Sequence, residues 1–336
     1  MSQKKVGRQT YFFSRPLPII GTAAVVGNKE GEGPLGTYFD EIIADPLYGE
    51  KSWELGESKM VSRAMNLALA KANAAYSNID FMFGGDLLNQ IVATNFAARH
   101  IPVPFFGLFG ACSTFSEALA LAGIALDGDF VSQVMVTASS HYQTAERQFR
   151  YPTELGVQRK PTAHWTVTGA AATIIGSSGS GVALTGITVG QVIDMGAKDV
   201  NDLGSAMAPA AVDTIRQHFE DTGRQPNYYD VIATGDLGSF GKSLVSDILA
   251  EKGYDIDNNY MDCGVLIFDP DQDAHVGGSG CGCSAVVFAN YFYPQLAQGI
   301  YQRMLFVSTG ALLSPTSYQQ GESIPSIAHA VVIEKV

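Results

Sequence analysis

A cysteine at the predicted start of a helix is the residue of this sequence best placed for chemistry. Cys112 lies in the stretch Gly107–Phe115 (GLFGACSTF), between an apolar strand-like run and a small-residue helix pattern. A strand that turns sharply into a helix points the first helical side chains into the space beyond the strand. Free N–H groups and the dipole of the first helical turn stabilise a thiolate or another anion there. The pattern predicts a nucleophilic cysteine or an anion pocket, and a cysteine buried as a small apolar residue is the simpler alternative.

Glycine and threonine positions around this cysteine predict how the chain turns. Gly107 and Gly110 permit a tight backbone path that larger residues resist. Thr114 and Glu117 have the spacing of a capping box, in which two side chains satisfy free N–H groups of the first turn. We therefore expect a helix to begin next to Cys112.

The other three cysteines have the spacing of a short motif but not of a metal site. Cys281 and Cys283 form a C-x-C pair, and a zinc site needs two more ligands at suitable spacing. Cys263 alone does not supply them. We interpret Cys281 and Cys283 as small residues at a tight helix start and predict no metal site.

Two aspartates occupy matching places after glycines. Asp86 follows Gly85, and Asp236 follows Gly235, each at the end of a short apolar run. Aspartates at strand ends commonly cap the next helix, so capping is the favoured interpretation for both. Loops that line one cleft together are the alternative.

The polar segment 142–165, predicted to be irregular, holds the densest basic cluster of the chain. Its members are Arg147, Arg150, Arg159 and Lys160. A solvated loop is the favoured interpretation, and local attraction of an anionic ligand is the alternative. His141 and His164 flank the cluster, and we expect both to be structural.

Composition limits the classes of protein that fit. The chain has 336 residues, 46% hydrophobic and 16% charged, with a net charge of −12. An acidic balance argues against a nucleic-acid-binding protein. The start (MSQKKVGRQT) lacks a signal pattern, no apolar run reaches the ~18 residues of a membrane span, and four cysteines in a long chain indicate a reducing compartment. We therefore predict a soluble protein with an ample core.

The sequence repeats itself. Ile79–Leu87 aligns with Tyr229–Leu237 without a gap, and Val134–Ala138 aligns with Leu305–Thr309. Self-similarity of strands that alternate with helices indicates two copies of a βαβαβ-type unit. The predicted fold class is α/β, with mainly parallel sheets covered by helices.

The two predicted halves meet near residues 177–181. The N-terminal half is 1–177, and the C-terminal half is 178–336, with an insertion around Gly253–Ala274. Counted back from the final strand, Cys112 falls opposite Cys283. Each half is thus expected to place a cysteine near the start of a central helix.

Periodicity predicts the individual elements. The strands are Pro18–Gly27, Phe81–Phe83, Val134–Thr137 and a pair formed by Thr166–Ile175 and Gly181–Val192 around a glycine-serine turn. The helices are Ser58–Tyr76, a segment near Gln90–Arg99 and Ala208–Phe219. The segment 28–57 is predicted to be a long loop that is functional or covers something.

A duplicated α/β unit with a cysteine at the first central helix resembles the thiolase and ketoacyl-synthase superfamily, over nearly the whole chain. VPFFGLFGACSTFSEAL is similar to its nucleophile turn, WTVTGAAATIIGSSGSG to its Gly-Asp-Gly-Ala strand, and DAHVGGSGCGCSA stands at its histidine-glycine motif. The resemblance implies a five-layer α-β-α-β-α sandwich, usually a homodimer, with no cofactor.

This chain departs from that family where proton transfer is needed. Thr234, Gly235 and Asp236 stand where a ketosynthase-type histidine is expected, and Ser308–Gly310 stands near the second cysteine of a thiolase. Only His275 lies near a family histidine, and a polar loop residue is an equal alternative for it. The implied catalytic positions are Cys112, as an active or a vestigial nucleophile, and His275. The implied ligand-binding set is Cys112, Ser113, Thr234, Gly235, Asp236, His275 and Ser279.

Longer strings resemble a narrower family, the stage V sporulation protein AD family of spore-forming bacteria. They are LYGEKSWELGESKM, GGDLLNQ, GLFGACSTFSEALALA, PTAHWTVTGAAA, HVGGSGCGCSA and VSTGALLSPTSYQQGESIPSIAHAV. The resemblance implies binding of dipicolinic acid or calcium dipicolinate and help in loading it into the forespore. It also implies membrane-embedded partners from the same operon and a peripheral location at the spore inner membrane.

Two other functions stay open at the level of sequence. One is an acyltransferase or condensing enzyme that uses Cys112 to accept an acyl group from a coenzyme A or carrier-protein thioester. The other is a scaffold for membrane partners, which the low content of charged residues suits. Because acid–base partners for Cys112 are mostly missing, the sequence favours a non-catalytic binding protein.

Overall fold

The structure, a computed structural model, describes residues 4–149 and 159–336, so Arg150 of the basic cluster lies outside the described residues. In these ranges the first strands are β1 (Lys5–Val6), β2 (Thr10–Gly27), β3 (Glu41–Ile43), β4 (Phe81–Asp86), β5 (Phe105–Gly107), β6 (Gln133–Ser140), β7 (Trp165–Thr166) and β8 (Gly169–Gly176). The later strands are β9 (Val182–Thr188), β10 (Val231–Thr234), β11 (Tyr260–Asp262), β12 (Gly278–Ser279), β13 (Arg303–Ala311) and β14 (Ser326–Lys335).

The helices alternate with these strands along the chain. The first are α1 (Asn28–Gly31), α2 (Trp53–Ala72), α3 (Val92–Ala98), α4 (Thr114–Asp127) and α5 (Tyr142–Phe149). The later ones are α6 (Leu203–Thr222), α7 (Gly238–Glu251), α8 (Cys263–Ile267), α9 (Cys281–Val287), α10 (Tyr293–Gln298) and α11 (Pro315–Gln319).

Two groups of strands have the same order. The first is β5-β4-β6-β8-β2 and the second is β11-β10-β13-β14-β9. In each, the first three strands are parallel and the fourth is antiparallel to the third. Strand β2 joins the two groups, because Thr10–Pro18 pairs with β9 and Ile19–Val26 pairs with β8. A duplicated unit accounts for this matching order, while the boundary at 177/178 stays a prediction.

Helices cover both sheets in layers. Between the sheets, α4 and α9 share the central core through side chains such as Phe115 and Val286. On the outer face of the first sheet, α2 buries Met60 and Met65, and on the outer face of the second, α6 buries Ile215. Burial of each such side chain contributes about 1.5–3 kcal/mol. The result is the predicted α-β-α-β-α sandwich, which is confirmed.

Helix α2 begins and ends earlier than predicted. The hydroxyl of Ser52 accepts a hydrogen bond from the Leu55 N–H at 3.4 Å and caps the helix at Trp53. Asn73, with a φ of 49°, ends it in the left-handed conformation. Two elements, α1 and β3, also lie inside the segment 28–57, so the predicted long loop is partly ordered into regular structure.

The predicted pairing of the strands on either side of the glycine-serine turn is wrong. Strand β8 pairs with β2 and β6, whereas β9 pairs with β2 and β14. The 18-residue β2 lies between them and bonds to both. Apolar periodicity identifies a strand but not its neighbours.

The segment 142–165 is not irregular throughout, as predicted, because it begins with helix α5. Its first N–H, on Tyr142, donates to the Thr168 hydroxyl at 3.1 Å. The helix is amphipathic, with Ala145 buried and Arg147 facing outward. Its polar residues look like a loop in sequence but occupy one face of a helix.

Candidate functional site

Cys112 lies in a strained turn between β5 and α4. A single 3₁₀ turn, Ala111–Ser113, precedes the helix, and Ala111 has a φ of 49°, a left-handed conformation that non-glycine residues adopt rarely. The predicted capping box is absent, because the Thr114 hydroxyl donates to the Ala111 carbonyl at 2.7 Å instead. The helix does begin beside Cys112, as the sequence predicts.

Strand β13 of the second sheet packs directly on this turn. A Cβ atom at Gly310 would lie 2.3 Å from the Gly110 carbonyl oxygen and 3.3 Å from the Cys112 nitrogen. Only glycine therefore allows β13 to approach the turn so closely. This approach brings the C-terminal half against the cysteine of the N-terminal half.

A cavity opens at the Cys112 side chain. It has about 620 Å³ of empty volume, counting its open mouth. Most of its lining is apolar, and its polar members are few. The lining residues are Leu87, Phe109, Ala111, Cys112, Ala145, Phe149, Thr166, Val200, Leu203, Ser279, Ala311 and Leu313.

The immediate partner of the cysteine is an aspartate. The Asp236 carboxyl is fully buried and lies close enough to the Cys112 thiol for each group to shift the pKa of the other. Asp236 also accepts the Gly280 N–H at 2.9 Å and the Thr309 hydroxyl at 2.8 Å. Four segments that are distant in sequence therefore converge at this carboxyl.

Burial and charge keep the Cys112 thiol protonated. Burial raises the pKa of Cys112 well above its ordinary value, and the negative charge of Asp236 raises it further. Burial raises the pKa of Asp236 to about 7, although the Cys112 thiol and hydrogen bonds from Gly280 and Thr309 lower it. A nucleophilic cysteine needs the opposite, a base or positive charge that favours the thiolate.

No histidine is among the described residues that line the cavity. The His141 ring nitrogen Nε2 lies 2.8 Å from the Pro46 carbonyl oxygen. His275 has a φ of 54° and lies 3.5 Å from the Asp273 carboxyl. His164 lies beside Gly238: a Cβ atom added to Gly238 would be 2.8 Å from the Nε2 atom of His164.

The structure brings together some of the predicted site residues and separates others. Cys112 and Ser279 line the cavity, and Asp236 lies directly behind Cys112. Ser113 is turned inward, with its hydroxyl donating to the Gly110 carbonyl at 2.7 Å. Thr234 donates at 2.7 Å to Asp262 rather than to the cavity.

Two other predicted residues do not line the cavity. Gly235 packs on β13, where a Cβ atom would lie 3.1 Å from the Ser308 Cα atom, and its carbonyl accepts the Cys283 thiol at 3.5 Å. His275 is also absent from the lining. These two residues contribute to packing and loop structure around the site.

Capping, predicted for both aspartates, is correct for Asp86 and wrong for Asp236. Asp86 accepts the N–H of Thr94 in the first turn of α3 at 2.8 Å. Asp262 rather than Asp236 accepts the N–H groups of Leu237 and Gly238 at the start of α7, at 2.9 and 3.1 Å. Asp262 lies in the insertion, whose fold the repeat did not predict.

Sequence reasoning missed most of the cavity. Thr309, which donates to Asp236, and Thr166 on β7 have no chemical motif around them. The apolar lining from α5 and from Val200 and Leu313 gives no signal either, because apolar residues look like core in a sequence. The hint for Thr309 was its place at the end of the repeated segment Leu305–Thr309, within the stretch Ser308–Gly310 that stands near the second cysteine of a thiolase.

The remaining cysteines and the described members of the basic cluster are not among the residues that line the cavity. Helix α9 begins at Cys281, as predicted, and no group of three His, Cys, Asp or Glu side chains in the described ranges is placed to bind a metal. Arg147 pairs with Glu54, and Lys160 pairs with Asp199 at 2.8 Å. The guanidinium of Arg159 lies 4.8 Å from the Trp165 ring centre and bonds to the His164 carbonyl.

The architecture is similar to two solved structures of known proteins. A variant of OleA from Xanthomonas campestris aligns with a TM-score of 0.63 at 14% identity, over 96% of this chain and 97% of the other. The 3-oxoacyl-[acyl-carrier-protein] synthase III from Aquifex aeolicus VF5 aligns with a TM-score of 0.55 at 13% identity, over 95% and 99%. At such low identity the similarity concerns the fold, and the fold is thiolase-like.

Sequence similarity defines a narrower class. The family described as stage V sporulation protein AD matches residues 7–334. The curated stage V sporulation protein AD of Bacillus subtilis (strain 168) is 48% identical over 332 residues, which cover 99% of this chain and 98% of that protein. The chain therefore belongs to the stage V sporulation protein AD family. Among the described helices, none has the length and apolar character needed to cross a bilayer.

Proposed function

We propose that this sporulation protein binds dipicolinic acid, or its calcium chelate, in the cavity at Cys112 and supports its uptake into the developing spore without catalysis. Membership of the family supports the role in sporulation. One observation carries the non-catalytic part of the proposal. The Asp236 carboxyl lies against the Cys112 thiol, and burial together with the negative charge of Asp236 raises the pKa of the thiol, whereas a nucleophilic cysteine needs a neighbouring positive charge or imidazole that favours the thiolate.

The cavity has the character that a small planar aromatic acid needs. Leu87 and Phe149 offer apolar walls for a ring. Thr166 and Ser279 offer hydroxyl groups to a carboxylate. Cys112 adjoins the first turn of α4, where free N–H groups and the helix dipole favour an anion.

Charge should decide which form of the ligand binds better. The described lining includes no lysine or arginine, and Asp236 behind Cys112 has a pKa of about 7. An ionised Asp236 repels a free dianion, whereas the calcium chelate is neutral and its metal accepts further oxygen ligands. We expect the affinity for free dipicolinate to fall as the pH rises through about 7, with a much smaller change for the chelate.

Isothermal titration with each ligand at pH 6 and pH 8 tests both statements. Asp236→Asn, which keeps the shape of the side chain but cannot ionise, is expected to lose the pH dependence for free dipicolinate. If the affinity of this variant for free dipicolinate still depends on pH, a group other than Asp236 causes the pH dependence. No binding heat from either ligand, at millimolar concentration, would overturn the proposed function.

A blocked cavity provides the second test. Leu313 lines the cavity, whereas its neighbour Leu312 does not, and both are half-buried. Leu313→Trp is expected to abolish binding, and Leu312→Trp is the matched control that should keep it. Equal binding by the two variants, both folded by thermal melt, would place the ligand elsewhere.

The apolar lining favours a second candidate function, acyl transfer with Cys112 as the acceptor. A thioester substrate would then add an acyl group to the Cys112 sulfur and release its thiol. Mass spectrometry after incubation with acyl-coenzyme A of several chain lengths tests this idea, with Cys112→Ser as control. We expect no adduct, because the thiol is held protonated.

We also propose a homodimer that works with membrane-embedded partners of the same operon at the spore inner membrane. Strand β5 is at the edge of its sheet, and Phe106 and Phe109 beside it are 50% and 49% exposed. An open edge with exposed aromatic rings favours pairing with a second copy. Sedimentation equilibrium is expected to give a dimer mass that Phe106→Asp reduces to a monomer mass.

A further inference from the structure

An open apolar groove lies at the opposite end of α4 from Cys112. We call it the β2–α4 groove, and its apolar lining is Tyr11, Phe12, Phe13, Ile124, Phe130, Ile187 and Val189. Phe130 is 79% exposed and Ile124 is 50% exposed. Contiguous exposed apolar surface of this kind marks an interaction site more often than it marks chance exposure.

A hydrogen-bonded turn holds Phe130 outward. After α4 ends, the Gly128 N–H donates to the Ile124 carbonyl at 2.9 Å, and the Phe130 N–H donates to the Ala125 carbonyl at 3.1 Å. Asp129 between them has a φ of 58°. The ring is thus presented by a structured turn rather than by a loose loop.

Cations outnumber carboxylates around this groove although the protein as a whole is acidic. The first 29 residues contain no Asp or Glu, in a chain of net charge −12. Four cations in this segment surround the groove or its rim: Lys4, Lys5, Arg8 and Arg15. Lys4 and Arg8 line the groove itself.

Acidic residues position these cations without removing them from the surface. The Lys4 ammonium lies 2.8 Å from the Asp127 carboxylate, and the Arg15 guanidinium lies 2.6 Å from that of Asp129. Both cations keep about two fifths of their side chains exposed. Two cations are therefore fixed on either side of the turn that carries Phe130.

A third carboxylate near the groove is already saturated. Asp221 accepts the backbone N–H groups of Arg8, Gln9 and Thr10 at 2.7–2.9 Å and the Gln217 amide at 2.7 Å. The side chain of Arg8 is not used in these bonds. It stays available to a ligand at the rim of the groove.

We propose that the β2–α4 groove is a membrane-docking surface for anionic phospholipid. Phe130 enters the boundary between headgroups and acyl chains, while Lys4, Arg8 and Arg15 lie near the phosphates. An aromatic tip between exposed cations fits a charged interface, and the rest of this acidic protein would be repelled by it. The inference rests on the proposed function in one respect, the association with a membrane.

Vesicle flotation of the full chain tests the inference. The protein is expected to float with vesicles of phosphatidylglycerol and phosphatidylcholine at low salt, to be released by high salt, and not to float with phosphatidylcholine alone. Phe130→Ser should weaken partitioning about tenfold, because an apolar ring is lost from the interface. Lys5→Glu with Arg8→Glu should abolish it.

Matched controls lie outside the groove. Ile300, which is 59% exposed, is changed to Ser, and the exposed Lys252 is changed to Glu; both variants should float like the unchanged protein. Absence of flotation with anionic vesicles, or equal loss in Phe130→Ser and Ile300→Ser, overturns the proposal. A third result would also overturn the proposal: the protein captures a membrane protein only when Phe130 is present, while its binding to lipid does not depend on Phe130. The groove would then be a site for protein docking.

Dipicolinate titration of Phe130→Ser separates this inference from the proposed function. The variant is expected to bind dipicolinate normally, since the groove and Cys112 lie at opposite ends of α4. Flotation without any dipicolinate binding would leave the docking surface standing while the ligand proposal fails.

Discussion

Asp86 and Asp236 occupy equivalent places in the two halves but have different partners. Asp86 accepts the Thr94 N–H and hydroxyl at 2.8 and 2.7 Å and so fixes the start of α3. Asp236 faces the Cys112 thiol, and in its half Asp262 binds the N–H groups at the start of α7. An aspartate supplied by the insertion thus releases the repeated aspartate for the cavity.

The difference shows how a duplicated fold can become functionally asymmetric. Each half needs one buried carboxylate to satisfy N–H groups at a helix start. Where a second carboxylate meets that need, the first can change partner without destabilising the helix. Variants of matched residues in the two halves can test this division of roles.

Replacement of Asp262 should have the largest effect. Asp262→Ala leaves the Thr234 hydroxyl and the N–H groups of Leu237, Gly238 and Val265 without their acceptor. We expect the free energy of unfolding to fall by about 3 kcal/mol or more, measured by urea denaturation. Asp236→Ala is the comparison variant and should lower the free energy of unfolding by less. An equal or larger decrease would mean that Asp236 keeps a main structural role.

Gly310→Ala should have the next largest effect. In the repeat alignment Gly310 corresponds to Ser139, whose hydroxyl donates to Glu57 at 2.9 Å, so only the second sheet needs glycine here. A methyl group would lie 2.3 Å from the Gly110 carbonyl oxygen and displace the Cys112 turn.

We expect Gly310→Ala to lower the free energy of unfolding by about 2 kcal/mol and to abolish dipicolinate binding. Ser139→Ala is the matched variant and should leave ligand binding intact. Normal binding by Gly310→Ala, in a folded protein, would show that the close approach of β13 does not shape the cavity.

The pH dependence of stability should report on the N-terminal half. Glu57 is fully buried near Asp86, and burial, with the Asp86 charge, raises its pKa from 4.5 to about 8. The folded state therefore holds this proton more tightly than the unfolded state does. The contribution of protonated Glu57 to the free energy of unfolding is largest below pH 4.5. It is lost as the pH rises towards 8, with a slope on the order of 1 kcal/mol per pH unit.

Glu57→Gln removes one titrating group and should lower the slope of the free energy of unfolding between pH 5 and pH 8 by about 1 kcal/mol per pH unit. The rest of the slope should remain, because burial also raises the pKa values of Glu30, Asp236 and Asp262. Urea denaturation across this range measures the slope for both proteins. An unchanged slope in Glu57→Gln would assign the pH dependence to other buried carboxyls, such as Asp236 and Asp262.

Thiol reactivity should give the smallest and most selective effect. Asp236→Asn removes the negative charge beside Cys112, so the pKa of the thiol should fall. Alkylation of Cys112 by iodoacetamide at pH 8 should become about tenfold faster, which corresponds to one pKa unit. Peptide mapping by mass spectrometry measures the rate at this cysteine.

Asp86→Asn is the matched control for thiol reactivity. It makes the same chemical change at the equivalent place of the other half, where the carboxylate contacts Thr94 and Leu88 rather than Cys112. The alkylation rate of Cys112 should stay as it is in the unchanged protein. Equal acceleration in both variants would mean that the reagent reports general loosening of the structure.

The sequence by itself determined the two α/β units and the position of the cysteine turn, and its resemblance to the thiolase superfamily implied the five layers. Its internal repeat, with alternating strands and helices, indicated two similar α/β units. Glycine and small residues around Cys112 required a tight turn into a helix. These features are local or periodic, so they can be recognised along a single chain.

Tertiary structure alone decided which residues and strands contact each other. The predicted cap at Asp236 was wrong because the insertion folds Asp262 onto the same helix start. The strands on either side of residues 177–181 looked like a hairpin, yet the long β2 lies between them. Contacts between residues that are far apart in sequence depend on how the layers stack, and neither periodicity nor spacing records that geometry. For this reason the acid behind Cys112, which sets the chemistry of the site, became evident only in the folded chain.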